Sequence, residues 1–391
     1  MSAIIDSVSR IFNSTATTST TPLLAGVTVF STLAVITISR LKFRRAKVKV
    51  IKSPAATLLP KLNSAEKATL PYPPDALPGG RDVDSPYGTT RVYEWGPEDG
   101  RKVLLLHGIT PPCLAVGAIA HGLVERGCRV MLFDGWGRGY SDSPADLEHD
   151  ERLYSTQILI AITSSPLSWT GGPNGGFSII GYSLGGGISL CFTSYFPDLV
   201  NSMVLIAPTG LIRPSRVGAQ RFFTYIFSIV PESLLENFLK KRLQTPMFPK
   251  ENSEDIVTAE VTGDEPPASQ VTPASLKYPD VTVLAATQWN ITAHKGFIHS
   301  FISNALFAPA AGQQAAWKRV GLQKRNILIV AATQDPIIVP EELKPDVEEL
   351  LRDSGSKLDW CMIDGAHDLG NTHPEKIAEE ICTFWGMGTL D

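Results

Sequence analysis

The sequence predicts an α/β fold with a mostly parallel central sheet, helices on both faces and an inserted helical cap. From about residue 88 onward, short β-branched or apolar runs alternate with longer helical patterns, the rhythm of strand and crossover helix. The runs are apolar almost throughout rather than at every second position, as strands buried on both faces require. Between Leu211 and Gln323 the alternation stops, over an interval far longer than a strand-to-helix connection needs.

Bulk composition fits one large domain carrying an insertion. The 391 residues are 43% hydrophobic and 19% charged, with a net charge of −4, and no overall basic excess recommends nucleic acid as a partner. The five cysteines (Cys113, Cys128, Cys191, Cys361, Cys382) are odd in number and scattered, without C-x-x-C spacing. They read as free core thiols in a reducing compartment.

Residues 1–22 read as a short tail and 23–41 as a transmembrane anchor. No charge occurs from Ile11 to Ser39, and LLAGVTVFSTLAVITIS is apolar; as a helix it covers roughly 26 Å of a hydrocarbon core about 30 Å thick. Arg40, Lys42, Arg44, Arg45, Lys47, Lys49 and Lys52 follow, against Arg10 alone on the other side. Their long side chains reach towards headgroups, and the charge asymmetry keeps the main domain on the cytosolic face. The endoplasmic reticulum and the outer mitochondrial membrane both fit. A cleaved signal peptide would carry its positive charge before the apolar run, and a transit peptide would carry more arginine. Residues 42–87, basic and then rich in proline (YPPDALPGG), read as a linker.

The core is expected in two parts, 88–210 and 324–391, with the cap over 211–323. The candidate strands are TTRVYEWG, KVLLLHG, RVMLFDG, FSIIGYS, SMVLIAP, NILIVAATQD and LDWCMIDG. In such sheets, ligands bind beyond the carboxyl ends of the strands, so the polar residues found there carry the argument. They are His107, Asp134, Ser183, Asp335 and His367.

Ser183 sits in G-Y-S-L-G-G, between an apolar run and a helical pattern. Gly181 and Gly185 make room for a strained strand-to-helix elbow that lifts the hydroxyl out of the sheet. The helix beginning near Leu184 points its first N–H groups at the same spot, so the Leu184 amide is a candidate oxyanion donor. A serine hydroxyl needs a base to take its proton, and the base needs an orienting carboxylate. His367, in MIDGAHDLG, and Asp335, in VAATQDPIIVP, supply these in the order Ser, Asp, His.

With VLLLHGIT and LFDGWGRGYSD, these segments together resemble the α/β-hydrolase family from about residue 88 to the C-terminus. The resemblance implies a second oxyanion donor at the Ile109 amide and a structural turn over Asp134 to Ser141. It is nearest to capped esterases and to carbon–carbon (meta-cleavage-product) hydrolases. Serine in the nucleophile position argues against the epoxide hydrolases and haloalkane dehalogenases, which use aspartate there. The commoner H-G-x-P form is altered, with Thr110 standing before Pro111 and Pro112.

Rival residues are few. His373 precedes Pro374 at the start of a helix and reads as a surface group, and Asp364 and Asp368 flank His367 too closely to approach its ring from the required side. His107 reads as shaping the oxyanion loop; His294 and His299 in the cap could line the pocket, but cap histidines are usually surface groups, and neither is assigned a role. The function that follows is a serine hydrolase cleaving an ester, amide or thioester through an acyl-enzyme, with no metal or organic cofactor. Phe222, Phe223, Tyr225, Ile226 and Phe227 in the cap, beside the anchor, point to a lipophilic small-molecule substrate. The alternatives are a carbon–carbon hydrolase with the same triad and a catalytically silent, membrane-tethered binding module. Asn290-Ile291-Thr292 is a glycosylation acceptor sequence, offering a check on which side of the membrane the domain lies.

Overall fold

The computed structural model describes residues 49–171, 176–213, 232–244 and 272–387. The expected tail and anchor, and the aromatic run Phe222 to Phe227, lie outside these residues. Among the described residues no helix is long and apolar enough to cross a membrane.

Among the described residues ten strands form: β1 (Val50–Ile51), β2 (Arg81–Ser85), β3 (Gly88–Trp95), β4 (Arg101–Leu106), β5 (Cys128–Phe133), β6 (Ser143–Pro144), β7 (Phe177–Tyr182), β8 (Val200–Ile206), β9 (Asn326–Ala332) and β10 (Lys357–Ile363). Eight of them make one sheet in the order β10-β9-β8-β7-β4-β5-β3-β2. From β10 to β5 every neighbouring pair is parallel, while β3 and β2 add antiparallel at the edge. Each predicted run becomes a strand, and the apolar residues of β4, β7, β8 and β9 are buried at almost every position. Each fully buried Leu, Ile or Val adds about 1.5–3 kcal/mol, so these strands hold the sheet's centre.

β5 and β7 lie on opposite sides of β4. Successive connections therefore part company at the carboxyl end of β4, leaving a crevice between the loops after β4 and β7. Among the described residues the helices longer than two turns are α1 (Gly117–Glu125), α2 (Glu151–Thr163), α3 (Leu184–Tyr195), α4 (Glu232–Gln244), α5 (Val283–Ala293), α6 (Phe297–Phe307), α7 (Gln314–Leu322), α8 (Pro340–Leu350) and α9 (Pro374–Phe384). α1 packs on α9, and α2 and α7 flank α3. α4, α5 and α6 belong to the inserted helical subdomain between β8 and β9, and Leu235, Leu239, Leu243, Ile291, Phe297, Ile298 and Phe301 give it a small core of its own.

The stretch expected as a linker departs from that expectation from Val50 onward. β1 pairs with β6, Lys52 Nζ donates to Asp142 Oδ2 at 2.7 Å, and Tyr72, Ala76 and Leu77 are buried in the main core. β2 extends the sheet. Prolines and small residues erase periodicity here, yet the backbone still finds partners, which is why the pattern looked unstructured.

Candidate active site

Ser183 stands between β7 and α3 with φ 53° and ψ −116°, a left-handed conformation that costs a residue with a Cβ on the order of 1–3 kcal/mol. Its backbone is held on both sides: its N–H donates to Ile206 O at 2.9 Å, and its carbonyl accepts from Gly186 N at 2.9 Å and Thr209 N at 3.0 Å. The glycines are demanded by space. A Cβ on Gly181 would lie 2.3 Å from Gly185 O, and one on Gly185 would lie 2.4 Å from Leu106 O.

His367 follows β10, and its Nε2 lies 2.9 Å from Ser183 Oγ. Its Nδ1 lies 2.7 Å from Asp335 Oδ2. The other carboxylate oxygen of Asp335 accepts from Ile337 N at 2.8 Å and Ile338 N at 2.9 Å. An ionised carboxylate at Oδ2 fixes the proton on Nδ1 and leaves Nε2 free to accept one from the serine. The loop carrying His367 is tied to the elbow, because the Tyr182 hydroxyl donates to His367 O and the two rings stack at 5.9 Å. All three side chains are buried.

The rival residues are placed elsewhere. His373 meets Thr372 Oγ1 at 2.9 Å. Asp364 is exposed and accepts from Thr333 and Gln334. His107 is buried under the loop after β4: Gly135 N donates to its Nε2 at 2.9 Å, so Nδ1 carries the proton and donates to Gly108 O at 2.8 Å.

A family model described as the alpha/beta hydrolase fold matches residues 102–374. The chain belongs to the α/β-hydrolase fold family. Among curated proteins, this α/β hydrolase is 30% identical over 128 residues to a serine hydrolase-like protein of Danio rerio, covering 32% of this chain and 37% of that protein. It is 25% identical over 158 residues to the monoglyceride lipase of Mus musculus, covering 40% of this chain and 50% of that one. The chain thus spans half or less of the length of these relatives. Among solved structures, a carboxylesterase of Nitrososphaera gargenis superposes with a TM-score of 0.54 at 14% identity, over 78% of this chain and 98% of that chain. At that identity the likeness concerns the fold alone.

The inserted subdomain of this α/β hydrolase rests on the turn after β5. Gly139 N donates to Asn290 Oδ1 at 3.0 Å, and the Arg138 guanidinium donates to Ser300 Oγ. His294 accepts from Gly296 N at Nδ1, 2.9 Å, so its Nε2–H donates to Ser141 O at 2.7 Å. Two readings are corrected by these contacts. His294 is fully buried rather than a surface group. Asn290 is also fully buried, on α5; a glycan does not fit there in the folded protein, so that acceptor sequence carries no information about membrane side.

Burial, with the like charge of Arg138, pushes His294 down to about 4. The free imidazole titrates near 6.5, so the unfolded chain takes up a proton that the folded chain refuses. Stability from this group is complete above pH 6.5 and is lost as the pH falls towards 4. Between pH 7 and pH 4.5 we expect His294 to account for on the order of 2–3 kcal/mol of lost unfolding free energy. Denaturant titrations of wild type and His294→Gln at the two pH values check this, the variant showing the smaller drop. Sequence reasoning missed Arg138, His149, Tyr154 and Asn304, which gather behind the loop after β4. The only signal was Arg138 inside the Asp134 to Ser141 turn.

Proposed function

We propose that the chain is a serine hydrolase that cleaves an ester of a largely apolar small molecule through an acyl-enzyme. The observation that carries this is the unbroken path Ser183 Oγ, His367 Nε2, His367 Nδ1, Asp335 Oδ2, at 2.9 and 2.7 Å. Ser183 attacks the carbonyl carbon while His367 takes its proton. The imidazolium, steadied by Asp335, then protonates the leaving alkoxide. Water repeats the sequence on the acyl-enzyme, and the acid departs.

The amides of Ile109 and Leu184 are the donors for the oxyanion. Among the described residues neither N–H is engaged in a hydrogen bond, as donors kept for a ligand oxygen should be. His107 positions the first of them. In a trans peptide the C=O and N–H point opposite ways, so holding Gly108 O against His107 Nδ1 aims the Ile109 N–H away from His107. We expect His107→Ala to lower kcat about tenfold to a hundredfold with KM nearly unchanged, since the contact matters most in the transition state. Steady-state kinetics on one aryl ester checks this; a change confined to KM speaks against it.

The reading extends to the membrane. The apolar stretch 23–41, uncharged up to Ser39, and the basic run that begins at Arg40 support an anchor that holds the domain at the cytosolic face, with the cap spanning 211–323 between core parts 88–210 and 324–391. The governing test is turnover of aryl esters of rising acyl length by the detergent-solubilised full chain, with fluorophosphonate labelling of Ser183. A rate that peaks at one acyl length, with label on Ser183, supports the reading. A folded protein that neither turns over nor labels is the binding module instead.

A further inference from the structure

A second cleft shares no residue with the triad or with the loop after β4. Its walls include Pro74, Leu77, Pro78 and Leu276, with Asp75, Lys277 and His121 as polar members. Its volume is about 310 Å³, within the range of small-molecule sites, roughly 300–1,000 Å³. The walls come from segments about two hundred residues apart in the chain, and hydrogen bonds staple them together: Ser275 Oγ donates to Ala76 O at 2.5 Å, Tyr278 Oη to Asp75 Oδ1 at 2.9 Å, and Lys277 Nζ to Asp75 Oδ2. The first of these segments lies flat on β3. Gly79 has φ 65°, and a Cβ there would lie 2.0 Å from Glu94 O. Backbone contacts and cross-chain hydrogen bonds thus set the shape of the cleft, and the side chains that face it are left to meet a ligand.

His121, on α1, is the buried polar member. It is 3% exposed, and its Nε2 has no hydrogen-bond partner. The plain reading is packing, since its ring lies 5.2 Å from that of Trp95. Phenylalanine would pack there as well, without leaving a buried nitrogen unpaired at about 1–3 kcal/mol. Burial, opposed by the Ala274 carbonyl, pushes the imidazole down to about 4, so the ring is neutral near pH 7. A neutral ring nitrogen donates in one tautomer and accepts in the other. A hydroxyl, which does both, matches either. Asp75 and Lys277 are exposed and already paired with each other, so a charged ligand finds no free counter-charge among the described lining residues.

We propose that this cleft is a second binding site, for a small neutral alcohol whose hydroxyl meets His121 Nε2 and whose apolar body lies against Leu77, Leu276 and the two prolines. The proposal is independent of the serine-hydrolase reading. Either can fail while the other stands.

Benzyl alcohol is the probe, and ethylbenzene, of nearly the same shape without the hydroxyl, is the control. Their affinities are measured by ligand-observed NMR on the detergent-solubilised full chain as wild type, His121→Phe and Leu276→Trp. Uptake by the detergent is common to all three, so differences among the proteins report the cleft. His121→Phe keeps a ring against Trp95 and removes the nitrogen; we expect it to weaken benzyl alcohol about threefold to tenfold, the worth of one neutral hydrogen bond, and to leave ethylbenzene within about twofold. Leu276 is 54% exposed, so tryptophan there obstructs the cleft without disturbing the core and should weaken both probes. Absence of saturable benzyl alcohol binding, or binding that neither substitution alters, overturns the proposal. Prior fluorophosphonate labelling of Ser183 should leave the affinity unchanged, and its loss on labelling would put the probe in the active site instead. Should His121→Phe fail to fold, nitrogen-15 histidine spectra decide. Benzyl alcohol should then shift the ring nitrogens of one histidine in the wild type and none in Leu276→Trp, with ethylbenzene shifting none in either; no shift in the wild type counts against the site.

Discussion

Alanine at Ser183 is expected to abolish ester turnover, lowering kcat by about 10⁵–10⁶ and leaving only what the oxyanion donors and binding supply. The loss belongs to the chemistry and not to the fold. Alanine keeps the Cβ, so the left-handed backbone at φ 53° is no more strained than with serine, and the backbone bonds to Ile206, Gly186 and Thr209 do not involve the hydroxyl. The thermal midpoint should therefore stay close to wild type while fluorophosphonate labelling vanishes. Ser183→Gly should be equally inactive yet stabler by about 1 kcal/mol, because glycine adopts φ > 0 without steric cost. Such a pair of inactive variants, one stabilised, would show strain retained for function. Retention of more than about 1% of wild-type kcat by the alanine variant would move the nucleophile elsewhere.

The strands and the Ser, His and Asp positions were legible because their constraints are local. A strand buried on both faces must be apolar at successive positions, as Val103 to Leu106 and Ile327 to Ala332 are. The elbow must carry glycine where Gly185 would otherwise collide with Leu106 O. What escaped is set by partners distant in sequence. Tyr72 and Leu77 fall in a proline-rich stretch and still belong to the core. Asn290 resembles a surface acceptor in the sequence, yet it caps an amide 151 residues away. Arg138 resembles a solvated charge in a glycine-rich turn until Ile109 and Ser300 are brought beside it. Buried polar residues look like surface residues in a sequence; their partners alone distinguish them.

Asparagine at Asp335 should lower kcat by about 10⁴ while leaving the protein folded. The side-chain oxygen of asparagine still accepts from Ile337 N and Ile338 N, as Oδ1 does now at 2.8 and 2.9 Å. Its NH₂ group then occupies the place of Oδ2, 2.7 Å from His367 Nδ1, and it can only donate. His367 answers by placing its proton on Nε2, which points at Ser183 Oγ as a donor and can no longer take the serine proton. The position of one proton thus separates a base from an idle ring. Asp335→Ala behaves differently: it leaves two buried N–H groups without an acceptor, at about 1–3 kcal/mol each, and so should lose thermal stability as well as activity. Kinetics and melting of the two variants together distinguish orientation from scaffolding. Should asparagine cost less than about tenfold in kcat, the carboxylate is not what sets the tautomer of His367.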